Sequence, residues 1–356
     1  MSEPLDLFST VQLGDIKLNN RAIMAPLTRA RAVDHIPTDL MVEYYAQRAS
    51  AGLIIAEATM VAEDACAFMT EPGIYSDEQV NGWRKVTDAV HDKGGKIFLQ
   101  LWHGGRASHP DLNNGKEAIA ASAIAIDDEV HTPQGKKPYS VPRALETDEI
   151  PDIVNQFKQA AINAKDVGFD GVEVHGANGY LLDNFLRDGT NHREDQYGGS
   201  IENRARLLFE VLEAVIDVWG SGKVGIRTSP LNGFNDMKDS DPEGMTRWLA
   251  ETLNQYDLAY WHLMRNDFLG VKQGDVMTPA RTLYKGNLMG NMGYSKEEAS
   301  QAISEQQLDV IAFGVPYIAN PDLVERFKAD AQLNEANPET FYVGGAQGYT
   351  DYPTMA

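Results

Sequence analysis

Cysteine is almost absent from this sequence, with Cys66 the only one among 356 residues. One cysteine excludes a disulfide within the chain, a cysteine-held iron–sulfur cluster and a cysteine-rich zinc site. No run approaches the roughly 20 apolar residues that a membrane helix needs. The first ten residues also lack the basic and apolar segments of a secretory signal. We therefore expect a soluble, cytoplasmic protein.

Basic residues are scarce as well. The chain has 31 Lys and Arg against 52 Asp and Glu, which gives a formal net charge of −21. Such a surface repels phosphate backbones and anionic membranes, so nucleic-acid and membrane partners are not expected. Hydrophobic residues make up 43% of the chain, an ordinary globular proportion.

Short apolar runs typical of buried strands alternate with longer segments of helical period. The predicted strands are 22–25, 53–58, 96–102, 171–175, 223–229, 259–264, 287–291 and 310–313. The predicted helices are 40–50, 82–93, 150–167, 201–218, 243–255, 295–305 and 322–329, with a weak one at 279–284. We expect Thr147 or Asp148 to cap the helix that contains Pro151, and Gly168 to follow its end.

Eight strand-and-helix units close naturally into a (β/α)8 barrel, the TIM-barrel form of the α/β class. A doubly wound sheet would instead carry a G-x-G-x-x-G turn after its first strand. Here Pro26-Leu27-Thr28-Arg29 follows that strand, without any glycine. The sequence therefore predicts a single barrel domain over residues 1–356.

Two stretches do not fit the repeat. Residues 103–149 are too rich in Gly and Pro for a simple loop, and we expect an excursion above the third strand with a short hairpin around 119–126. The tail after Leu333 is rich in glycine, but its Tyr349 and Tyr352 favour docking near the barrel mouth over fraying.

Catalytic groups of such barrels come from the carboxyl ends of the strands. The fourth strand ends in Val174-His175-Gly176-Ala177-Asn178-Gly179-Tyr180. Imidazole and amide N–H groups can stabilise an oxygen that gains negative charge, and a phenol protonated at pH 7 can donate a proton to a carbanion. A purely structural role for His175 remains the alternative.

Polar side chains also occur within or just after other strands, at Thr28, Gln100 and Arg227. A polar group inside a packed barrel needs a partner. For Arg227 that partner is either a ligand or an internal carboxylate, with Glu173 and Glu57 as the candidates.

Glycine-containing turns close the last two strands. Gly290-Asn291-Met292-Gly293 ends the seventh strand and Gly314-Val315-Pro316 ends the eighth. Loops at these two positions are the usual phosphate site of the fold, where free backbone N–H groups bind the anion. The pair of turns favours a phosphorylated cofactor or substrate.

The motifs together resemble the Old Yellow Enzyme family, and within it the classical bacterial ene reductases. The matching segments include NRAIMAPLTRAR (20–31), QLWHGGRASH (100–109), HGANGYL (175–181), DQYGGSIENR (195–204), IAFGVPYIANPDL (311–323) and GYTDYP (348–353), and they span almost the whole chain in order. HGANGYL followed by DQYGGSIENR is a highly specific combination.

This resemblance implies non-covalent FMN at the barrel mouth, reduced by NADPH or NADH. It assigns the flavin ring to Pro26, Thr28, Ala58, Gln100 and Arg227. It assigns the phosphate to Met292, Gly293, Gly314 and Val315.

The resemblance also implies the reaction. His175 and Asn178 bind the activating oxygen of an alkene, hydride from flavin N5 reaches the β-carbon, and Tyr180 protonates the α-carbon. Enones, enals, maleimides and nitroalkenes are the implied substrates. The implied pocket residues are Phe68, Trp102, Phe234 and Tyr349, and no metal site is implied.

The chain departs from the family pattern at a few positions. Val315 stands where many members have an arginine on the FMN phosphate, which should weaken phosphate binding by about 1 kcal/mol. Phe68 stands where tyrosine is frequent. Thr28, in place of the cysteine of the thermophilic-like branch, is typical of the classical subgroup.

The sequence also bears on other functions. A dienoyl-CoA reductase relative needs an iron–sulfur cluster and is excluded by the cysteine count. A metal-dependent hydrolase is disfavoured because the strand ends hold Thr, Gln, Asn and Arg. A nitrate ester or nitro reductase and a non-catalytic flavin sensor remain alternatives, although the triad of His175, Asn178 and Tyr180 argues against the sensor. We expect a monomer or a homodimer.

Overall fold

Eight parallel strands form a closed barrel in the computed structural model, which describes residues 5–355. In chain order they are β1 (Ala22–Met24), β2 (Leu53–Met60), β3 (Ile97–Trp102), β4 (Gly171–Gly176), β5 (Val224–Thr228), β6 (Tyr260–Met264), β7 (Leu288–Asn291) and β8 (Val310–Phe313). Each strand pairs with the next, and Phe313 of β8 lies opposite Met24 of β1 to close the ring. The predicted barrel is confirmed, with all eight strands in the predicted places.

The barrel strands are buried along their whole length, because helices cover the outside and side chains fill the inside. Alternate residues such as Ile23, Ile55 and Phe98 form one apolar cluster with the hairpin Val11–Leu13/Ile16–Leu18. This hairpin closes the amino-terminal end of the barrel. The opposite end is left for the functional groups.

Ten helices are found in residues 5–355. They are α1 (Asp39–Gln47), α2 (Asp77–Asp92), α3 (Ile150–Asp166), α4 (Leu181–Leu186), α5 (Ile201–Trp219), α6 (Pro242–Thr252), α7 (Met277–Leu283), α8 (Lys296–Ser304), α9 (Val315–Ala319) and α10 (Leu323–Lys328). Serine hydroxyls at Ser76, Ser200 and Ser295 accept the N–H three residues later and so cap α2, α5 and α8. No helix in this part of the chain is both long and apolar enough to cross a bilayer.

The cap predicted for α3 is wrong. Glu146 and Glu149 form a capping box around the single 3₁₀ turn Thr147–Glu149, and α3 continues from that turn at Ile150. The Thr147 hydroxyl donates instead to Asp195, 2.5 Å away. Gly168 does follow the helix, with a φ of 90° that a residue with a side chain adopts only with strain.

The excursion after β3 is confirmed, but its hairpin is not where the sequence predicted it. Strands Glu129–Thr132 and Gly135–Pro138 form the hairpin, while Ile119–Ala120 pairs in parallel with Arg143–Ala144. Turn chemistry sets this position: Gly135 has a φ of 106°, and the Thr132 hydroxyl donates to its carbonyl. The apolar residues around 119–126 did not reveal that turn.

The C-terminal tail docks beside the mouth, as predicted. Two arginines just after β1 hold it: Arg31 donates to the carbonyls of Thr340 and Phe341 at 3.0 and 2.9 Å, and Arg29 donates to Gly348 at 2.7 Å. Tyr349 is fully buried and stacks on Tyr44, with ring centroids 4.0 Å apart. The tail is therefore part of the packed structure.

Candidate active site

Polar side chains of neighbouring strands meet inside the barrel near the carboxyl ends. His175 of β4 lies opposite Arg227 of β5, and Arg227 lies opposite His262 of β6. On the other side of β4, Glu173 lies opposite Gln100 of β3. The strand register therefore brings together residues that are up to 162 positions apart in the chain, as predicted for Gln100, His175 and Arg227.

Glu173 organises this polar layer. Its carboxylate accepts from Gln100 Nε2 at 2.7 Å and pairs with His262 Nδ1 at 2.8 Å. Both carboxylate oxygens are therefore used inside the barrel, where an unpaired charge would be costly. This network was not predicted, because the sequence indicated Glu173 only as a candidate partner of Arg227 and gave no role to His262.

Arg227 makes no ion pair within 4.0 Å in residues 5–355, so the internal salt bridge, one of the two alternatives for this residue, is absent there. Its guanidinium donates to Asn291 Oδ1 at 3.0 Å, and its Nε, although buried, has no partner among the described residues. Glu57, the other proposed partner, instead binds the Tyr45 hydroxyl and the Arg29 N–H. A buried cation with an unused donor fits an anionic or acceptor-rich ligand better than a purely structural role.

The loop after β4 holds Asn178 in one orientation. Its φ is 58°, and its backbone N–H donates to Ser229 Oγ at 2.8 Å. Asn232 Nδ2 donates to Asn178 Oδ1 at 2.8 Å, which leaves the Asn178 NH2 group available as a donor. Gly179 follows with a φ of 74°, and a Cβ there would come within 2.7 Å of Asn235 and Met237.

His175 is a neutral hydrogen-bond donor. Burial and the Arg227 charge lower its pKa well below the usual value. Its Nδ1 accepts from the Ala177 N–H at 3.3 Å, which places the remaining proton on Nε2. His175 and Asn178 thus each offer an N–H that no other group in residues 5–355 accepts, the combination needed to bind one oxygen.

Tyr180 packs between these donors and the aromatic wall. Its ring meets His175 at 5.2 Å and Trp102 at 5.1 Å, both edge to face. Burial raises the pKa of the Tyr180 phenol, and the nearby Tyr139 and Tyr342 raise it further. The phenol therefore keeps its proton at neutral pH and can serve as a proton donor.

The remaining residues that were predicted to contact the flavin ring lie around the loop after β1. Pro26 and Thr28 are in that loop, and Ala58 is at an irregularity in the pairing of β2 with β3 between Ala56 and Thr59. Glu57, at the same irregularity, accepts from the Arg29 N–H at 3.3 Å. The loop and β2 are thereby held side by side.

Two turns form an open cradle at the ends of β7 and β8. Met292 and Gly293 have φ values of 91° and 72°, and a Cβ on Gly293 would find no atom within 4 Å. A Cβ on Gly314 would meet only Leu27, at 3.4 Å. Asn291 Nδ2 donates to the Ala312 carbonyl at 2.8 Å and ties the two strand ends together.

The predicted pocket residues divide into three groups. Phe68 is 36% exposed and stacks over the buried Trp102 at 6.1 Å, and Phe234 is 37% exposed and packs against Phe268 at 5.9 Å. Tyr349 does not line the pocket: it is fully buried between Tyr44 and the arginines that hold the tail, so its prediction is wrong.

Tyr342, in the same tail, is 69% exposed and contributes, after burial and Tyr139, to the raised pKa of Tyr180. No feature of the sequence distinguished it from Tyr349. Sequence reasoning also missed Ser229, Asn232 and His262, which orient the site. It named Glu173 as a candidate partner of Arg227, whereas Glu173 binds Gln100 and His262.

Comparison with known proteins places this arrangement among flavoproteins. A family model described as the NADH:flavin oxidoreductase / NADH oxidase family matches residues 6–334. A probable flavin mononucleotide-dependent alkene reductase of Leishmania infantum is 49% identical over 350 residues, covering 96% of each chain. The putative 12-oxophytodienoate reductase 11 of Oryza sativa subsp. japonica is 42% identical, covering 100% of this chain and 99% of the other.

Solved structures agree. Morphinone reductase superposes with a TM-score of 0.96 at 46% identity, over 100% of this chain and 98% of the other. The old yellow enzyme from Trypanosoma cruzi also has a TM-score of 0.96 at 46% identity, over 99% of both chains. A further similar structure, with a TM-score of 0.94, is morphinone reductase in complex with tetrahydroNAD.

Proposed function

The chain belongs to the NADH:flavin oxidoreductase / NADH oxidase family, as an NAD(P)H- and FMN-dependent ene reductase of the Old Yellow Enzyme type, and from this premise we propose which residues carry each part of its reaction. FMN, when bound, supplies the two-electron chemistry, taking hydride from the nicotinamide nucleotide and passing it to the β-carbon of an activated alkene. The protein supplies binding, orientation and a proton.

The interior of the barrel fits the cofactor. In residues 5–355 Arg227 is buried with an unused Nε and no carboxylate partner, and Gln100 is held in place by its hydrogen bond to Glu173. We assign these two side chains, with Pro26, Thr28 and Ala58, to the flavin ring. The positive charge of Arg227 suits the ring position that becomes anionic on reduction.

The cradle formed by Met292, Gly293, Gly314 and Val315 is assigned to the phosphate. Gly293 and Val315 are exposed, and a Cβ on Gly293 would project into open space. Backbone N–H groups at such turns bind phosphate oxygens. Val315 adds no charge, so binding there depends on the backbone.

The substrate oxygen is assigned to His175 and Asn178, and the observation that carries this proposal is the fixed Asn178 amide. Its oxygen is occupied by Asn232, so its NH2 group and the Nε2–H of His175 are the donors left free. Both can bind a carbonyl or nitro oxygen and stabilise the charge that forms there as hydride reaches the β-carbon.

Tyr180 is assigned as the proton donor. Its phenol transfers a proton to the α-carbon of the alkene and regains one from solvent. Phe68, Trp102 and Phe234 form the apolar wall against which the substrate packs.

Replacing Tyr180 by phenylalanine tests this assignment. Under anaerobic conditions, NADPH should bleach the bound flavin of Tyr180→Phe about as fast as in the wild type. Reoxidation by 2-cyclohexenone should slow by about 100-fold or more, the usual contribution of a general acid. Tyr139→Phe, which removes a neighbouring hydroxyl, is the matched control and should reoxidise normally. Equal slowing of both half-reactions would contradict the assignment.

Quaternary structure and location complete the proposal. We expect one barrel domain acting as a monomer or homodimer in the cytoplasm. Sedimentation of the FMN-loaded protein would determine the first point, and cell fractionation the second.

A further inference from the structure

Arg265, the residue directly after β6, contacts the loop that follows β7. Its Nε donates to the carbonyl of Met292 at 2.8 Å, and its Nη2 donates to that of Gly293 at 3.1 Å. The two Nη atoms also bind both oxygens of Glu298, the third residue of α8. The Tyr294 ring lies 3.7 Å from the centre of the guanidinium. One side chain therefore joins the loop, α8 and an aromatic ring.

These contacts determine which way the loop presents its N–H groups. In a trans peptide the N–H points opposite to the C=O. Because Arg265 takes the carbonyls of Met292 and Gly293, the N–H groups of Gly293 and Tyr294 face the other side of the loop. In residues 5–355 neither N–H donates to a protein group.

The loop needs such support. Met292 is a residue with a side chain at a φ of 91°, and Gly293 follows at 72°. A conformation of this kind persists only where the surroundings hold it in place. Arg265 supplies two hydrogen bonds at this point, and Glu298 keeps the guanidinium in position.

We infer that Arg265 is a positioning residue for the FMN phosphate, acting through the loop Met292–Tyr294. The inference rests on the phosphate site proposed above. Val315 brings no charge to that site, so phosphate binding depends on correctly aimed backbone donors. Glu298 neutralises the guanidinium, which makes the contribution of Arg265 geometric rather than that of a point charge.

Comparison of FMN with riboflavin isolates the phosphate. Flavin-free protein is titrated with each, and the dissociation constants are read from quenching of flavin fluorescence. We expect Arg265→Ala to weaken FMN binding by about tenfold or more, while riboflavin binding changes by less than about twofold. Arg265→Lys should fall between, because an ammonium lacks the planar fork that meets two carbonyls and a carboxylate together.

Arg281→Ala is the matched control. Arg281 lines the same surface groove between α7 and α8, and its side chain is 26% exposed against 21% for Arg265. It binds Asp309 and the carbonyl of Tyr284 but not the loop. Its removal should leave the ratio of the two dissociation constants unchanged.

A second variant separates loop positioning from folding. Val315→Arg in the Arg265→Ala background should restore FMN affinity through a direct contact with the phosphate. If Arg265→Ala does not fold, Arg265→Gln is titrated in its place. Equal weakening of both flavins, or unchanged FMN affinity, would overturn the inference. A wild-type protein that bound riboflavin as tightly as FMN would overturn the phosphate site itself.

Discussion

Replacing Glu57 by glutamine should change how the stability of this protein depends on pH. Glu57 is fully buried, and burial raises its pKa from 4.5 to about 7, although Arg29 and Tyr45 oppose the rise through hydrogen bonds. The protonated carboxyl is therefore the form that the fold prefers. Glu57 accepts a hydrogen bond from the Arg29 N–H, in the loop that carries Thr28.

The sign and size of this pH dependence follow from the difference in the pKa of Glu57 between the folded and the unfolded state. Below pH 4.5 both the folded and the unfolded state hold the proton, and the contribution of Glu57 to stability is at its maximum. Between pH 4.5 and about 7 the unfolded state releases the proton first, so the free energy of unfolding falls. A change in pKa from 4.5 to about 7 corresponds to about 3 kcal/mol, lost by the time the pH has passed 7.

Glutamine cannot ionise, so Glu57→Gln removes this dependence. The glutamine NH2 group also faces one of two donors, the Tyr45 hydroxyl or the Arg29 N–H, and cannot accept its hydrogen bond. This lost hydrogen bond lowers the free energy of unfolding by about 1 kcal/mol at every pH. Urea unfolding of flavin-free protein at pH 4.5 and pH 8 should show the variant gaining about 3 kcal/mol relative to wild type across that interval. If the difference in unfolding free energy between variant and wild type is the same at both pH values within about 0.5 kcal/mol, the reasoning is refuted.

Two further substitutions test the site and the tail. Asn232→Ala should free the Asn178 amide and lower kcat/KM for 2-cyclohexenone by about tenfold, the value of one hydrogen bond. An unchanged kcat/KM in steady-state assays would argue against amide orientation. Tyr349→Ala should lower the free energy of unfolding by roughly 3 to 5 kcal/mol and expose the tail to limited proteolysis, because a fully buried stacked ring is lost. Tyr349→Phe should be nearly neutral, since the Tyr349 hydroxyl has no hydrogen-bond partner in residues 5–355; a large loss in that variant would show that the hydroxyl matters.

The barrel was predictable because its signals are local. Each of the eight buried strands is visible in the sequence as a short apolar run, and segments of helical period separate these runs. The excursion after β3 was visible from its Gly and Pro content, but the position of its hairpin depended on one turn at Gly135. The α3 cap was missed because Glu146 and Glu149 pair with each other around a 3₁₀ turn, which no single capping residue reveals.

The pocket residues could not all be predicted from local sequence signals. Tyr349 and Tyr342 lie in the same glycine-rich tail, and only docking separates them. Arg29 and Arg31, more than 300 positions earlier, bind the tail carbonyls and bury Tyr349 while Tyr342 stays exposed. A contact over that sequence distance leaves no trace in either segment alone.

From its amino acids alone this protein is determined to be an acidic α/β barrel with His175, Asn178 and Tyr180 following one strand and glycine turns closing the last two. Those properties follow from composition, periodicity and short motifs. The tertiary structure decided that His175 is neutral, because burial and the charge of Arg227 lower its pKa. It also decided the direction of the Asn178 amide, because the hydrogen bond that orients this amide comes from Asn232, 54 positions away in the chain. It also decided that Arg265 supports the loop of Met292 and Gly293. Each of these depends on groups that only folding brings within hydrogen-bonding distance.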